Sequence, residues 1–209
     1  EREMFLELDT AEVEAVHAAT LTQRCWQLAN GAIYALDKET GAKDWHVVHD
    51  AKIEALKEYV EELGEERALI AYSFKHDLAR LRATLPDVPH MTPQNTERLV
   101  EEWRAGQHQF MFVHPQSAGH GINNLQTQCR RVLFFSIPWS GESHDQLIGR
   151  VGPARRTGEK LPTIVHYILA NNTVDEAIVQ SLERKATTQR ELLASLRDYR
   201  ESRVSSETS

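Results

Sequence analysis

Ala68-Leu69-Ile70-Ala71-Tyr72-Ser73-Phe74-Lys75-His76-Asp77 is the stretch on which the reading of this chain turns. Its first five residues form a short, unbroken apolar run, the pattern of a parallel strand covered on both faces. The polar turn from Ser73 to Asp77 then gives way to a helical spacing at Leu78, Leu81 and Leu85, stopped by Pro86. Strand, polar turn and helix make one βα unit.

The pattern repeats downstream. A weak strand at Val88 to Met91 precedes a helix from Pro93 to Arg104, with Leu99, Val100 and Trp103 turned inward and Pro93 in its first turn. A strand at Phe110 to Val113 runs into the glycine-containing turn His114 to Asn123, and another at Val132 to Phe135 leads to a helix beginning near Glu142. The last strand, Ile164 to Leu169, leads to a long helix opened by Thr173 and Glu176 as a capping box. Upstream, Ile53, Leu56, Val60 and Leu63 share a helical face closed by Gly64. Between Thr10 and Leu36 a looser helical spacing through Val13, Val16, Leu21, Trp26, Leu28, Ile33 and Leu36 predicts one or two helices, followed by a turn at Asp37 to Asp44. Alternating strands and helices predict a three-layer α/β/α sandwich with a mainly parallel sheet, whose ligands sit at the carboxyl ends of the strands. The expected organisation is a helical brace over 1–46, the α/β unit over 47–186, and a helix end with a disordered tail over 187–209.

Composition narrows the function classes. At 209 residues the chain can bury a real core, and a formal net charge of -7 argues against nonspecific coating of nucleic acid while allowing a local basic groove. Cys25 and Cys129 lie far apart without a CxxC, which favours a reducing, cytoplasmic setting over a disulfide framework or zinc finger. No apolar run approaches the roughly 18 residues of a membrane helix. The first residue is not methionine, which reads as a segment cut from a longer polypeptide.

The densest chemistry lies in Gln146-Leu-Ile-Gly-Arg150-Val-Gly-Pro-Ala-Arg155-Arg156-Thr-Gly158, a glutamine and three arginines among glycines, directly after an apolar strand. Arginine's planar fork matches phosphate oxygens and stays charged. A solvated basic loop is the bland alternative, and the order of the preceding segments argues against it. Ala71 to Phe74, the Ser-Ala-Gly-His-Gly-Ile-Asn core at 117–123 with Leu125 and Gln126, and Gln146 to Gly158 resemble motifs IV, V and VI of the second RecA-like lobe of superfamily two helicases, most closely Snf-type translocases and their phage relatives. The resemblance spans about Val47 to Ala186. Two departures stand out: Pro153 occupies the position of the family's second arginine, with Gly152-Pro153-Ala154 as a register-restoring insertion, and Asn124 is an extra residue after Asn123.

The resemblance implies that Gly121 and Asn123 approach the ribose and phosphates of ATP, and that Gln146 orients the attacking water or couples the lobes. Arg150, with Arg155 or Arg156 as the finger, meets the γ-phosphate. Ser73, Lys75 and the turn Pro115-Gln116-Ser117 face nucleic-acid backbone, DNA being the expected partner. Backbone amides at helix N-termini are further phosphate-binding candidates. No GxxxxGK[ST] loop and no acidic pair after a strand occurs, so ATP and magnesium are expected on an N-terminal RecA-like lobe of the same polypeptide, and the chain alone is expected to be inactive. The implied setting is the cytoplasm of a bacterium or phage-infected host.

Other readings are weaker. Gly141-Glu142-Ser143-His144-Asp145 imitates a nucleophile elbow but ends on Asp145 instead of glycine. His46, His49 and Asp50 read as solvated, not as metal ligands. A methyltransferase or glycosyltransferase would want a glycine-rich turn after its first strand, which Ser73-Phe74-Lys75-His76 does not supply. Of the four tryptophans, read mainly as packing residues, Trp139 beside the arginine cluster is the candidate for base stacking. A degenerate lobe serving as a protein-interaction scaffold is the remaining alternative.

Overall fold

The computed structural model describes residues 10–36, 43–118, 125, 126, 129–152 and 161–185. The chain opens with α1 (Thr10–Ala29), then a hairpin of β1 (Ala32–Leu36) and β2 (Lys43–Val47). There follow α2 (Ala51–Leu63), β3 (Ala68–Ala71), α3 (Lys75–Thr84), α4 (Thr96–Arg104), β4 (Phe110–Val113), α5 (Pro115–Ala118), β5 (Arg131–Phe134), α6 (Gly141–Val151), β6 (Ile164–Tyr167) and α7 (174–185).

Four strands form one sheet in the order β4-β3-β5-β6, every pair parallel. Alternate residues of each strand feed opposite cores. Leu69, Val113 and Phe134 pack with Leu99 and Trp103 of α4, Leu147 and Val151 of α6, and Ile178 of α7. Ile70, Phe112 and Leu133 pack on the other side with Ile53 and Leu56 of α2 and Leu81 of α3. Helices therefore cover both faces, which is why the strands read as continuous apolar runs. The fold is the expected α/β/α sandwich with a parallel sheet.

The sequence reading needs three corrections. The segment up to Leu36, read as one or two helices, ends in the first strand of a hairpin, with Tyr34 opposite Trp45 and Ile33 opposite His46. The helix stops at Asn30-Gly31 because Gly31 takes φ +91°, and a Cβ there would stand 2.2 Å from the His49 carbonyl oxygen. Beyond it, Ile33 and Tyr34 find cross-strand partners, and pairing overrides a loose helical spacing. Second, the expected strand at Val88 to Met91 is reduced to a single bridge between His90 and Phe112. Third, Pro93 lies in the turn before α4, whose N-cap residue is Asn95; the Asn95 side chain accepts the Thr92 amide at 2.8 Å. At the start of α7, Thr173 Oγ1 accepts the Asp175 amide, while the Glu176 carboxylate reaches the Asn172 amide, one residue short of a capping box. Residues 37–42 of the expected turn and the tail from 187 onward lie outside the described residues.

One buried polar network ties these layers together. Lys52 of α2, 1% exposed, places its ammonium 2.6 Å from Asp175 Oδ2, 2.8 Å from Asn30 Oδ1 and 3.3 Å from the Phe135 carbonyl. Asn30 in turn donates from Nδ2 to Ser136 Oγ at 2.7 Å and to Asp77 Oδ2 at 3.3 Å. Arg80 closes the network from α3, donating to the Asn30 and His49 carbonyls and to Asp50 Oδ1. Burial pushes the Lys52 ammonium below its ordinary value against the pull of Asp175. Removing one partner of such a pair strands the other charge in the interior, so Asp175→Asn should destabilise the chain by about 3–5 kcal/mol in urea unfolding. Lys52→Met combined with Asp175→Leu should recover most of that loss, and a single substitution costing nothing would mean that the pair does not hold the layers together.

Candidate functional site

Because all four strands of the sheet run parallel, their carboxyl ends emerge along one edge. Ala71 of β3 is level with Val113 of β4 and with Phe134 of β5. Three of the turns singled out in the sequence therefore start from one line: Tyr72 to Phe74, His114 into α5, and Phe135 to Ser140 into α6. Sheet order reverses here, since β4 and β5 flank β3 on opposite sides, and that is the switch point at which open parallel sheets bind ligands.

The turn after β3 is fixed from within. Asp77, fully buried, accepts the Phe74 amide at 2.9 Å and the Ser73 amide at 3.3 Å with Oδ2. The Lys75 amide donates to the Tyr34 hydroxyl at 3.1 Å. These three amides are thus engaged inside the chain, so the expectation that helix starts offer backbone N–H groups to phosphate does not hold for them. Recognition here falls to side chains, and Lys75 is exposed. His114 bridges to the neighbouring turn, its Nε2 3.3 Å from the Ser73 carbonyl and its ring edge-on to Tyr72.

In α5, Pro115 is buried and shapes the turn, Gln116 is exposed and Ser117 half-buried. This short helix packs against α6. α6 is capped by Ser140, whose Oγ accepts the Ser143 amide at 3.3 Å. Its rotation is set by His144, Leu147 and Val151, which are buried. His144 stacks on Phe134 and lies 2.7 Å from the Tyr167 hydroxyl and 3.0 Å from Asp145 Oδ1. Gln146 and Arg150, four residues apart, consequently share the outer face of α6. Gln146 donates to Glu142 Oε1 at 2.9 Å, and among the described residues nothing lies within 4 Å of where a Cβ at Gly149 would stand. Trp139, at 55% exposure, stands just before the helix.

The structure thus brings Ser73, Lys75, Gln116 and Ser117 to one edge of the sheet on two neighbouring turns, whereas Gln146 and Arg150 lie along α6, which starts at that edge and ends with the Val151 carbonyl accepting from Thr163 Oγ1 just ahead of β6. Gly121, Asn123, Arg155 and Arg156 lie outside the described residues. The residues that sequence reasoning missed are Asn30, Lys52 and Asp77, which shape this edge from inside. A polar residue beside an apolar helical stripe carries no mark that it will be buried. The other tryptophans pack: Trp103 is wholly buried, Trp26 meets Phe74 edge-on, and Trp45 faces His76. The donors at the edge, an amide and a guanidinium with an ammonium nearby, suit phosphate oxygens. Among the described residues no group of three His, Cys, Asp or Glu could hold a metal ion, and no helix is long and apolar enough to cross a membrane.

Burial holds His114 below the ordinary histidine range, against the pull of the Ser73 carbonyl and Asp77. The unfolded chain then binds a proton more readily than the folded one, so stability is retained at neutral pH and lost as pH falls through the ordinary histidine range. Denaturation midpoints should drop from neutral pH to about 5, and His114→Gln should flatten that slope, to which His90 and His166, also lowered by burial, contribute. A His114→Gln slope identical to the parent would remove this residue from the account.

Comparison with known proteins agrees with this geometry. A family model for the helicase conserved C-terminal domain matches residues 51–155. Protein p41 of Acyrthosiphon pisum secondary endosymbiont phage 1 is 38% identical over 199 residues, covering 94% of this chain and 42% of that protein. The crystal structure of the C-terminal part of the Fun30 ATPase domain superposes with a TM-score of 0.51 at 20% identity, covering 62% of this chain and 44% of that one. The chain spans under half the length of either relative.

Proposed function

The chain belongs to the family of helicase conserved C-terminal domains, and from that premise we propose that it is the second motor lobe of a DNA-dependent ATPase of the Snf type. The observation that supports this reading is the carboxyl edge of the sheet, where the turns after β3 and β4 carry Ser73 and Lys75 beside Gln116 and Ser117, and from which α6 starts with Gln146 and Arg150 on its outer face. The first lobe, elsewhere in the same polypeptide and in the same cytoplasmic setting, holds ATP and magnesium. Arg150, with Arg155 or Arg156, neutralises charge on the transferring phosphoryl oxygens from the opposite side. Gln146 orients the attacking water or couples the lobes. Gly121 and Asn123 approach the ribose and phosphates, while Ser73, Lys75 and the Pro115-Gln116-Ser117 turn meet DNA phosphates. Such contacts position the lobe along a duplex without reading its sequence.

In a protein carrying both lobes, Arg150→Ala should lower DNA-stimulated ATP turnover by about a thousandfold or more while leaving the melting curve unchanged. This chain alone should not turn over ATP with DNA. Unchanged turnover in the variant would leave a protein-interaction scaffold as the better account.

Gly149 supplies a separate check. A glycine inside a helix costs about 0.5–1 kcal/mol relative to alanine, and nothing within the described residues crowds a Cβ at this position. Gly149→Ala should therefore stabilise this chain by about that amount, yet impair turnover once a first lobe and nucleotide close against the outer face of α6. Full activity with raised stability would show that nothing approaches that face.

A further inference from the structure

The orphan amides at the start of α3 are satisfied in two different ways. Those of Ser73 and Phe74 use Asp77, four and three residues ahead in the same unit. That of Lys75 uses Tyr34, 41 residues upstream in the N-terminal hairpin. Tyr34 is itself held on both sides: its own amide donates to Oε1 of the buried Gln27 at 3.0 Å, and its ring lies 5.0 Å from that of the fully buried His76. Its cross-strand partner Trp45 faces the same histidine.

Burial does not demand this contact. Lys75 is exposed, and a helix-start amide at the surface is satisfied equally well by water. What the tyrosine adds is a fixed direction for the residue whose ammonium faces outward. We propose that Tyr34 is a positioning residue for the nucleic-acid-facing turn: its hydroxyl fixes the Lys75 backbone and so aims the Lys75 ammonium at a DNA phosphate. The hairpin whose first strand sequence reasoning took for part of a helix thereby becomes a working part of the phosphate-binding edge. This inference rests on the proposed role of Ser73 and Lys75.

The test measures binding of a short fluorescein-labelled DNA duplex to the 209-residue chain by anisotropy over a range of salt, for Tyr34→Phe, Lys75→Ala and the double variant. Tyr34→Phe keeps the ring against His76 and removes the hydroxyl, and a melting curve close to the parent's verifies the fold. It should weaken binding by up to about tenfold, the worth of one lost hydrogen bond, with an unchanged salt dependence because no charge is lost. Lys75→Ala should weaken binding and reduce the salt slope by about one unit. In its background, Tyr34→Phe should have no further effect. Parent-like binding by Tyr34→Phe, or independent and additive losses in the double variant, would overturn the inference while leaving the Lys75 contact in place. Parent-like binding by Lys75→Ala would instead remove the reading of the turn, and this inference with it.

Discussion

Everything at the working edge of this molecule depends on where one ammonium group is held. Lys52 reaches from α2 into the interior and meets three acceptors, a carboxylate at the start of α7, the side chain of Asn30 after α1, and the carbonyl of Phe135 beyond β5. An ammonium has three protons, and here each has a partner from a different segment. A charge taken out of water tolerates few arrangements, so the pair fixes position more than it adds stability. The segments it fixes are those that frame the carboxyl edge of the sheet. Asn30 leads to Asp77 and the turn after β3; Phe135 and Ser136 begin the turn into α6.

The sheet was legible in the sequence because parallel strands buried on both faces leave a simple trace. The runs at 68–72, 110–113, 132–135 and 164–169 match the observed strands to within a residue at their starts, β5 beginning at Arg131. Element order followed, whereas strand order did not, since nothing local states that β5 pairs with β3 instead of β4. The hairpin was missed because Ile33 and Leu36, three residues apart, fit a helical spacing, and the deciding fact, the crowding of Gly31 by His49 and Arg80, is tertiary. The buried network was invisible for the same reason: its partners stand 22, 47 and 106 residues apart.

At the candidate site, the residue types were legible and the manner of recognition was not. Arginine, glutamine and lysine after strands point to phosphate whatever the packing. That helix starts would offer backbone amides was a reasonable extension, yet Asp77, Tyr34 and Ser140 occupy amides at the starts of α3 and α6, and Pro115 has none to offer. Spent amides change the character of the edge. A backbone nest binds an anion in one fixed geometry, while side chains on a rigid frame can release one phosphate and take the next.

On the proposed reading, that difference suits a lobe that moves along a polymer of identical charges. A contact made by an exposed lysine on a fixed backbone is strong enough to steer and weak enough to break, because the ammonium remains largely hydrated. The outer face of α6 is built otherwise: Gln146 is held back by Glu142, Gly149 leaves room beside it, and Arg150 follows in the last turn. Open space beside a helical glycine is costly in a finished surface and sensible in an unfinished one. On the proposed reading the two regions carry different demands, transient grip on one and closure against a partner on the other. The Lys52 network ties the turn after β3 to the segment that leads into α6.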